Sequence, residues 1–332
     1  MNKNIQVMAS EIEKAIKLPS GTLYPVIGLG TFTIFNETTG KPGDVFEAVK
    51  YAIDIGYRHI DTAYLYGVEG EVGDAIQAKL DDGTIKYKKD VFITTKLWVT
   101  NFNPKMVRDG ALRSIKALNV EAVQLYLMHW PMCFKDGDDF FPKDEDGNVI
   151  YSDHDYIDTW KAMEELVYDK LVMNIGVSNF NINQMERLLQ NCRIKPSNLQ
   201  IEIHPYFSNR KLVDLCHAND ISVTAYAPFA NPGRNWNTDG KPCFFEEQIL
   251  KEIALSKGKS IAQVILRFLI QRKLVVIPKS VNKSRIKENF EVFDFSLAED
   301  EMTKIFSLDR NFRVYWLSGA NRHKNYPFRD EL

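Results

Sequence analysis

Four residue types spread along this chain make one kind of chemistry if they meet: a carboxylate, a phenol, an ammonium and an imidazole. The stretch "YRHIDTAYLYG" (57–67) sets Asp61 and Tyr66 among apolar and aromatic neighbours, "ITTK" ends in Lys96, and "LYLMH" ends in His129. A carboxylate in such surroundings needs a partner, because desolvating an unpaired charge is costly. Lys96 is the expected partner of Asp61. An ammonium held beside the Tyr66 hydroxyl favours phenolate, which predicts a tyrosine pKa below its usual value of about 10. A phenol tuned in that way can donate a proton. His129 can hold a substrate oxygen by a hydrogen bond. This set has no nucleophile and no metal-ligand spacing, and it suits carbonyl reduction with hydride brought from elsewhere.

The elements that must position these residues are short. Apolar, β-branched runs occur at 24–30, 57–61, 90–96, 122–129, 171–179, 197–204, 221–228 and 273–280. Segments with apolar residues three and four apart lie between them, at 42–56, 103–119, 155–169, 181–192, 209–220 and 260–272. Such spacing marks amphipathic helices. Eight strand-like runs alternating with helices predict an α/β fold, a (β/α)8 TIM barrel. No linker divides the chain, so residues 15–328 are expected to form a single domain, with 1–14 and 329–332 as terminal extensions. A doubly wound sheet is the alternative, but "GLGTF" after the first run lacks the GxGxxG spacing of that fold. In a barrel every strand C-terminus lies on one face, and that face carries the active site. Asp61, Lys96 and His129 close the second, third and fourth runs, and Tyr66 follows the second. Ser178-Asn179, His204 and Lys279-Ser280 close others.

Seven motifs stand in order: "GYRHIDTAYLYG", "ITTKLW", "LYLMHWP", "IGVSNF", "QIEIHPY", "VTAYAP" and "VVIPKSVNKSRIKEN". Together they resemble the aldo-keto reductases, most closely the aldose reductase/aldehyde reductase branch, from "IGLGTF" to "NYPF". The resemblance implies a barrel that binds NADPH without a Rossmann fold and reduces aldehydes or ketones, with Asp61, Tyr66, Lys96 and His129 as the catalytic tetrad. It implies that Ser178, Asn179 and Gln200 hold the nicotinamide carboxamide and that Tyr226 stacks on the ring. Lys279, Ser280 and Arg285 would clamp the 2′-phosphate, with Glu288 and Asn289 on the adenine side and Thr31 and Asp61 as further cofactor contacts. Two cations and a hydroxyl within seven residues suit a phosphomonoester. They favour NADPH over NADH, which would leave the cations without their anion. Phe32, Trp98 and Trp130, with Tyr66 and His129, would line the carbonyl site. Phe134, Phe141, Trp236 and Phe312 are core or pocket aromatics, and His204 is expected to be structural. The long segments 131–153, 229–244 and 311–328 should set substrate choice.

The chain departs from the aldose reductase pattern at Phe32, where tryptophan is usual, at Ala227 and Asn231, where serines are usual, and at the bulky Tyr315 and Trp316. These changes point away from sugars, toward lipid or aromatic aldehydes or a cyclic ketone. A reductase or dehydrogenase of steroid-like ketones and a non-catalytic NADPH-binding barrel are the alternatives. The formal net charge of −2 argues against a nucleic-acid or membrane-surface partner, and no stretch approaches the length of a bilayer span. Four scattered cysteines, Cys133, Cys192, Cys216 and Cys243, with no visible signal peptide, read as free thiols in a reducing, cytoplasmic setting. The terminal "RDEL" and the "NET" sequon at Asn36 lose their meaning there, and the acidic run at 136–139 reads as solvated rather than metal-binding. No metal is expected, and the protein is expected to be a monomer.

Overall fold

The computed structural model describes residues 14–32, 41–232 and 243–329. Asn36, Trp236 and the last three residues of "RDEL" lie outside them. The described chain opens with a hairpin, β1 (Ala15–Lys17) paired antiparallel with β2 (Leu23–Pro25). Eight parallel strands follow in sequence order: β3 (Leu29–Gly30), β4 (His59–Asp61), β5 (Phe92–Leu97), β6 (Leu125–Met128), β7 (Ile175–Ser178), β8 (Asn198–Glu202), β9 (Ser222–Tyr226) and β10 (Leu274–Val276). Parallel bridges Ile27–Val276 and Gly30–Lys279 join the first of these to the last and close a (β/α)8 barrel. The backbone N–H groups of Gly28 and Gly30 donate across this seam at 2.9 and 3.1 Å.

Each expected run contributes to the barrel, but the first is split. Tyr24 and Pro25 belong to the hairpin rather than to β3. Tyr24 lies inside the barrel, stacked 4.4 Å from Phe92 and edge-on 4.9 Å from His59, with its hydroxyl 2.9 Å from Thr224 Oγ1. Leu18, Tyr24, Phe92, Leu125, Leu127 and Val275 form a separate apolar cluster that fills the barrel interior. The second, larger core lies between strands and helices.

Ten helices accompany the strands among the described residues: α1 (Asp44–Asp54), α2 (Glu69–Asp81), α3 (Val107–Leu118), α4 (Tyr156–Tyr168), α5 (Ile182–Asn191), α6 (Arg210–Ala218), α7 (Gln248–Lys257), α8 (Ile261–Gln271), α9 (Lys283–Phe290) and α10 (Glu299–Phe306). All six expected segments contain one. Their limits follow local chemistry. Asn181 with Gln184 and Ser260 with Gln263 form reciprocal caps at the starts of α5 and α8. Asn119 adopts left-handed backbone, φ 53°, where α3 ends. Helix α2 is less legible because Gly70 and Gly73 interrupt its apolar stripe. Gly73 is there for contact: a Cβ would sit 2.6 Å from the Leu118 carbonyl oxygen at the end of α3. No helix among the described residues is long and apolar enough to cross a membrane.

Candidate active site

Strands β4, β5 and β6 are neighbours in register, so their ends present Asp61, Lys96 and His129 side by side. A short 3-10 turn, Tyr64–Tyr66, follows β4 and returns Tyr66 over them. Lys96 Nζ lies 2.6 Å from Asp61 Oδ1, 2.9 Å from the Thr62 carbonyl and 3.4 Å from Tyr66 Oη. The other Asp61 oxygen accepts from Gln200 Nε2 at 2.7 Å. Both carboxylate oxygens are therefore bonded, which is what permits a carboxylate this deeply buried. The His129 ring stands edge-on to Tyr66 and to Trp98, at 5.7 and 5.2 Å. Its carbonyl is held by Asn179 Nδ2 at 3.0 Å.

One sequence expectation is reversed. The Tyr66 phenol is pushed well above its usual pKa, first by burial and then by the negative charge of Asp61. The Lys96 ammonium, held closer to Asp61 than to Tyr66, does not outweigh that burial. Burial also lowers Lys96 and raises Asp61, each opposed by the other's charge. Burial, then the Lys96 charge, hold His129 well below 6.5, so its imidazole is neutral at pH 7. The arrangement is a protonated phenol and a neutral imidazole above a buried ion pair.

Asp61, Tyr66 and His129 line one part of a cavity of about 560 Å³. Phe32, Trp98 and Trp130 line it, together with Leu65, Phe140, Phe141, Phe229, Tyr315, Trp316 and Leu317. Phe134 sits behind Trp98 and Phe141, and neither it nor Phe312 reaches the cavity. Sequence patterning marked the loops that carry Leu65, Phe140, Phe229 and Leu317, but not which side chains turn inward. Trp98 is fixed by a 2.8 Å bond from its indole N–H to the Phe140 carbonyl.

A polar wall continues through Ser178, Asn179, Gln200 and Tyr226 to Lys279. Asn179, at φ 62°, accepts from the Tyr226 hydroxyl at 2.8 Å and donates to Ser178 Oγ at 3.2 Å. Burial, then the charge of Arg285, lower the Lys279 pKa, and the Asp44 carboxylate opposes them. The cationic side chains of Lys279 and Arg285 suit a phosphomonoester, and the polar wall suits a flat polar ring. Of the other expected cofactor contacts, Ser280 accepts from the Asn282 N–H, Arg285 is exposed on the first turn of α9, and Glu288 and Asn289 lie further along that helix. Thr31 Oγ1 donates to the Asp61 carbonyl at 2.9 Å. His204 is fully buried against Glu202, outside the cavity.

The Aldo/keto reductase family matches residues 26–310. The chain is 43% identical to aldo-keto reductase family 1 member A1 of Gallus gallus, covering 95% of this chain and 97% of that one. It is 42% identical to family 1 member C15 of Rattus norvegicus, covering 96% and 98%. The solved structure of the aldose reductase from Schistosoma japonicum superposes with a TM-score of 0.88 at 43% identity, covering 96% of this chain and 99% of that one. The chain belongs to the aldo/keto reductase family and is an oxidoreductase of that family.

Proposed function

We propose that the protein reduces apolar aldehydes and ketones to alcohols with NADPH. The observation that carries this reading is the Tyr66 hydroxyl, 3.4 Å from a Lys96 ammonium that is itself paired to Asp61, at the wall of an aromatic cavity. NADPH, when bound, supplies the hydride and its electron pair to the carbonyl carbon. Ser178, Asn179, Gln200 and Tyr226 would hold its nicotinamide, and Lys279, Ser280 and Arg285 its 2′-phosphate, with Glu288 and Asn289 beyond. Thr31, bonded to the Asp61 carbonyl, and Asp61 would be further contacts at the nicotinamide end.

His129 donates a hydrogen bond to the substrate oxygen and orients the carbonyl. As negative charge grows on that oxygen, Tyr66 transfers its Oη proton to it. Lys96, 3.4 Å away, stabilises the resulting tyrosinate, and Asp61 keeps the ammonium in place. A high phenol pKa serves this step, because the proton stays on Tyr66 until the oxygen becomes a strong base. Phe32, Trp98 and Trp130 exclude water and accept an apolar body. Sugar hydroxyls would lose water there without gaining partners, which disfavours glucose-like substrates. The Tyr315 and Trp316 side of the cavity also accommodates a flat cyclic ketone, the second substrate class to examine.

The test is NADPH oxidation by purified protein with an aromatic aldehyde, beside NADH and beside Tyr66→Phe. Rapid NADPH turnover, slow NADH turnover and a variant that binds NADPH yet is slower by about a thousandfold are expected. Wild-type activity retained by Tyr66→Phe would remove Tyr66 as the proton donor. Tight NADPH binding with no carbonyl turned over would favour a non-catalytic barrel.

A further inference from the structure

Residues 309–317 form neither helix nor strand, yet they carry Tyr315, Trp316 and Leu317 into the cavity wall. Backbone N–H groups in such a segment need acceptors, and two of them find an unusual one. Glu202, at the end of β8 and fully buried, accepts the Val314 N–H at 2.6 Å and the Tyr315 N–H at 2.9 Å. His204 Nε2 lies 2.9 Å from the same carboxylate, which can only accept, so that nitrogen carries the hydrogen. Three donors converge on one buried anion at the residue that forms the wall.

That wall has two sides. The Tyr315 ring is edge-on to Tyr226, at 5.6 Å, and to Phe32, at 6.5 Å. Tyr226 stands on β9 directly opposite Glu202 in register, so the anchor and the ring platform share one strand pair. On the carbonyl-reductase reading above, on which this inference rests, Tyr315 separates the nicotinamide platform from the substrate slot.

We propose that Glu202, oriented by His204, is a positioning residue that sets substrate selectivity by holding the Val314–Tyr315 backbone and thereby the Tyr315 wall. It does not touch substrate. Its replacement should leave proton transfer intact and change how well a large apolar carbonyl is held.

Glu202→Gln is the direct variant, because one of the two accepting oxygens becomes an amide that cannot accept. The readout is kcat and KM for propanal and for naphthaldehyde with NADPH. The ratio of naphthaldehyde to propanal kcat/KM should fall about tenfold, through KM, with kcat for propanal held within about twofold. In a Tyr315→Ala background the same change should have no further effect on that ratio. An unchanged ratio, or an equal effect in both backgrounds, overturns the proposal. Should Glu202→Gln fail to fold, amide hydrogen exchange of the wild-type protein decides: Val314 and Tyr315 should be strongly protected, and exchange as fast as that of solvent-exposed amides overturns the anchor. A wild-type protein that oxidises no NADPH with either aldehyde would sink the carbonyl-reductase reading and, with it, the selectivity role, whereas the exchange experiment still reports separately on whether the anchor exists.

Discussion

Lys96 lies 2.6 Å from Asp61 and 3.4 Å from Tyr66, and the order of those distances decides how the three share charge. The ammonium is bound first to the carboxylate, and burial outweighs its pull on the phenol. Removing the ammonium therefore affects folding as well as chemistry. Lys96→Met should lower stability by about 3–5 kcal/mol, because Asp61 stays buried without its counter-charge. A urea titration measures this, and adding Asp61→Asn should recover part of the loss. The raised Tyr66 pKa has its own consequence. The pH profile of kcat/KM should show no fall from phenol ionisation between about pH 7 and 9, as the donor keeps its proton there. An alkaline fall in that window that disappears in Tyr66→Phe would contradict the assignment.

The barrel interior and the helix layer make separate demands on their elements. His59 on β4 is buried beside Tyr24 and Phe92, 3.2 Å from Thr94 Oγ1, and its pKa is lowered from 6.5 to about 3, first by burial. Folded His59 is thus neutral where the unfolded chain would bind a proton. Its contribution to stability is full above the unfolded value and is lost as pH falls from 6.5 toward 3. His323, lowered to about 4, acts in the same direction. The urea midpoint should fall between pH 7 and pH 4, with a shallower dependence in His59→Gln; equal slopes would assign the acid sensitivity to other groups. In the helix layer, Gly73→Ala would drive a methyl into the Leu118 carbonyl, 2.6 Å away. It should destabilise by about 1–3 kcal/mol despite the better helix propensity of alanine, because backbone on the α3 side must move. Thermal melting measures the sign.

At the scale of the whole molecule, the cavity runs from the Tyr66 hydroxyl to Lys279 and draws on residues from across the closed sheet. A ligand that spans it stabilises the folded barrel through linkage. NADPH at a hundred times its dissociation constant should add about 2.7 kcal/mol, seen as a rise in melting temperature. NADH at the same concentration should add less. In Lys279→Met the two cofactors should become more nearly equal, and a preference for NADPH that survives this change intact would place the phosphate clamp elsewhere.

Much of this was legible in the sequence because the barrel writes its site locally. Asp61, Lys96 and His129 each close an apolar run, and parallel strands bring run ends to one face whatever the detail of the helices. The cationic residues Lys279 and Arg285 were visible for the same reason, as a strand end followed by a helix start. What the sequence could not supply was long-range. The first run splits because Tyr24 fills the barrel interior against Phe92 and Thr224, contacts set by strands far along the chain. Helix α2 was obscured by Gly73, whose reason lies on α3. Phe140 and Leu317 turn inward because of partners in other loops, and periodicity carries no record of that. The protonation state of Tyr66 belongs to the same class. Residue types and spacing alone determined which groups could meet, but only the tertiary structure decided how deeply each was buried and which neighbour took the charge of Lys96, because desolvation and pairing depend on distances that sequence separation does not encode.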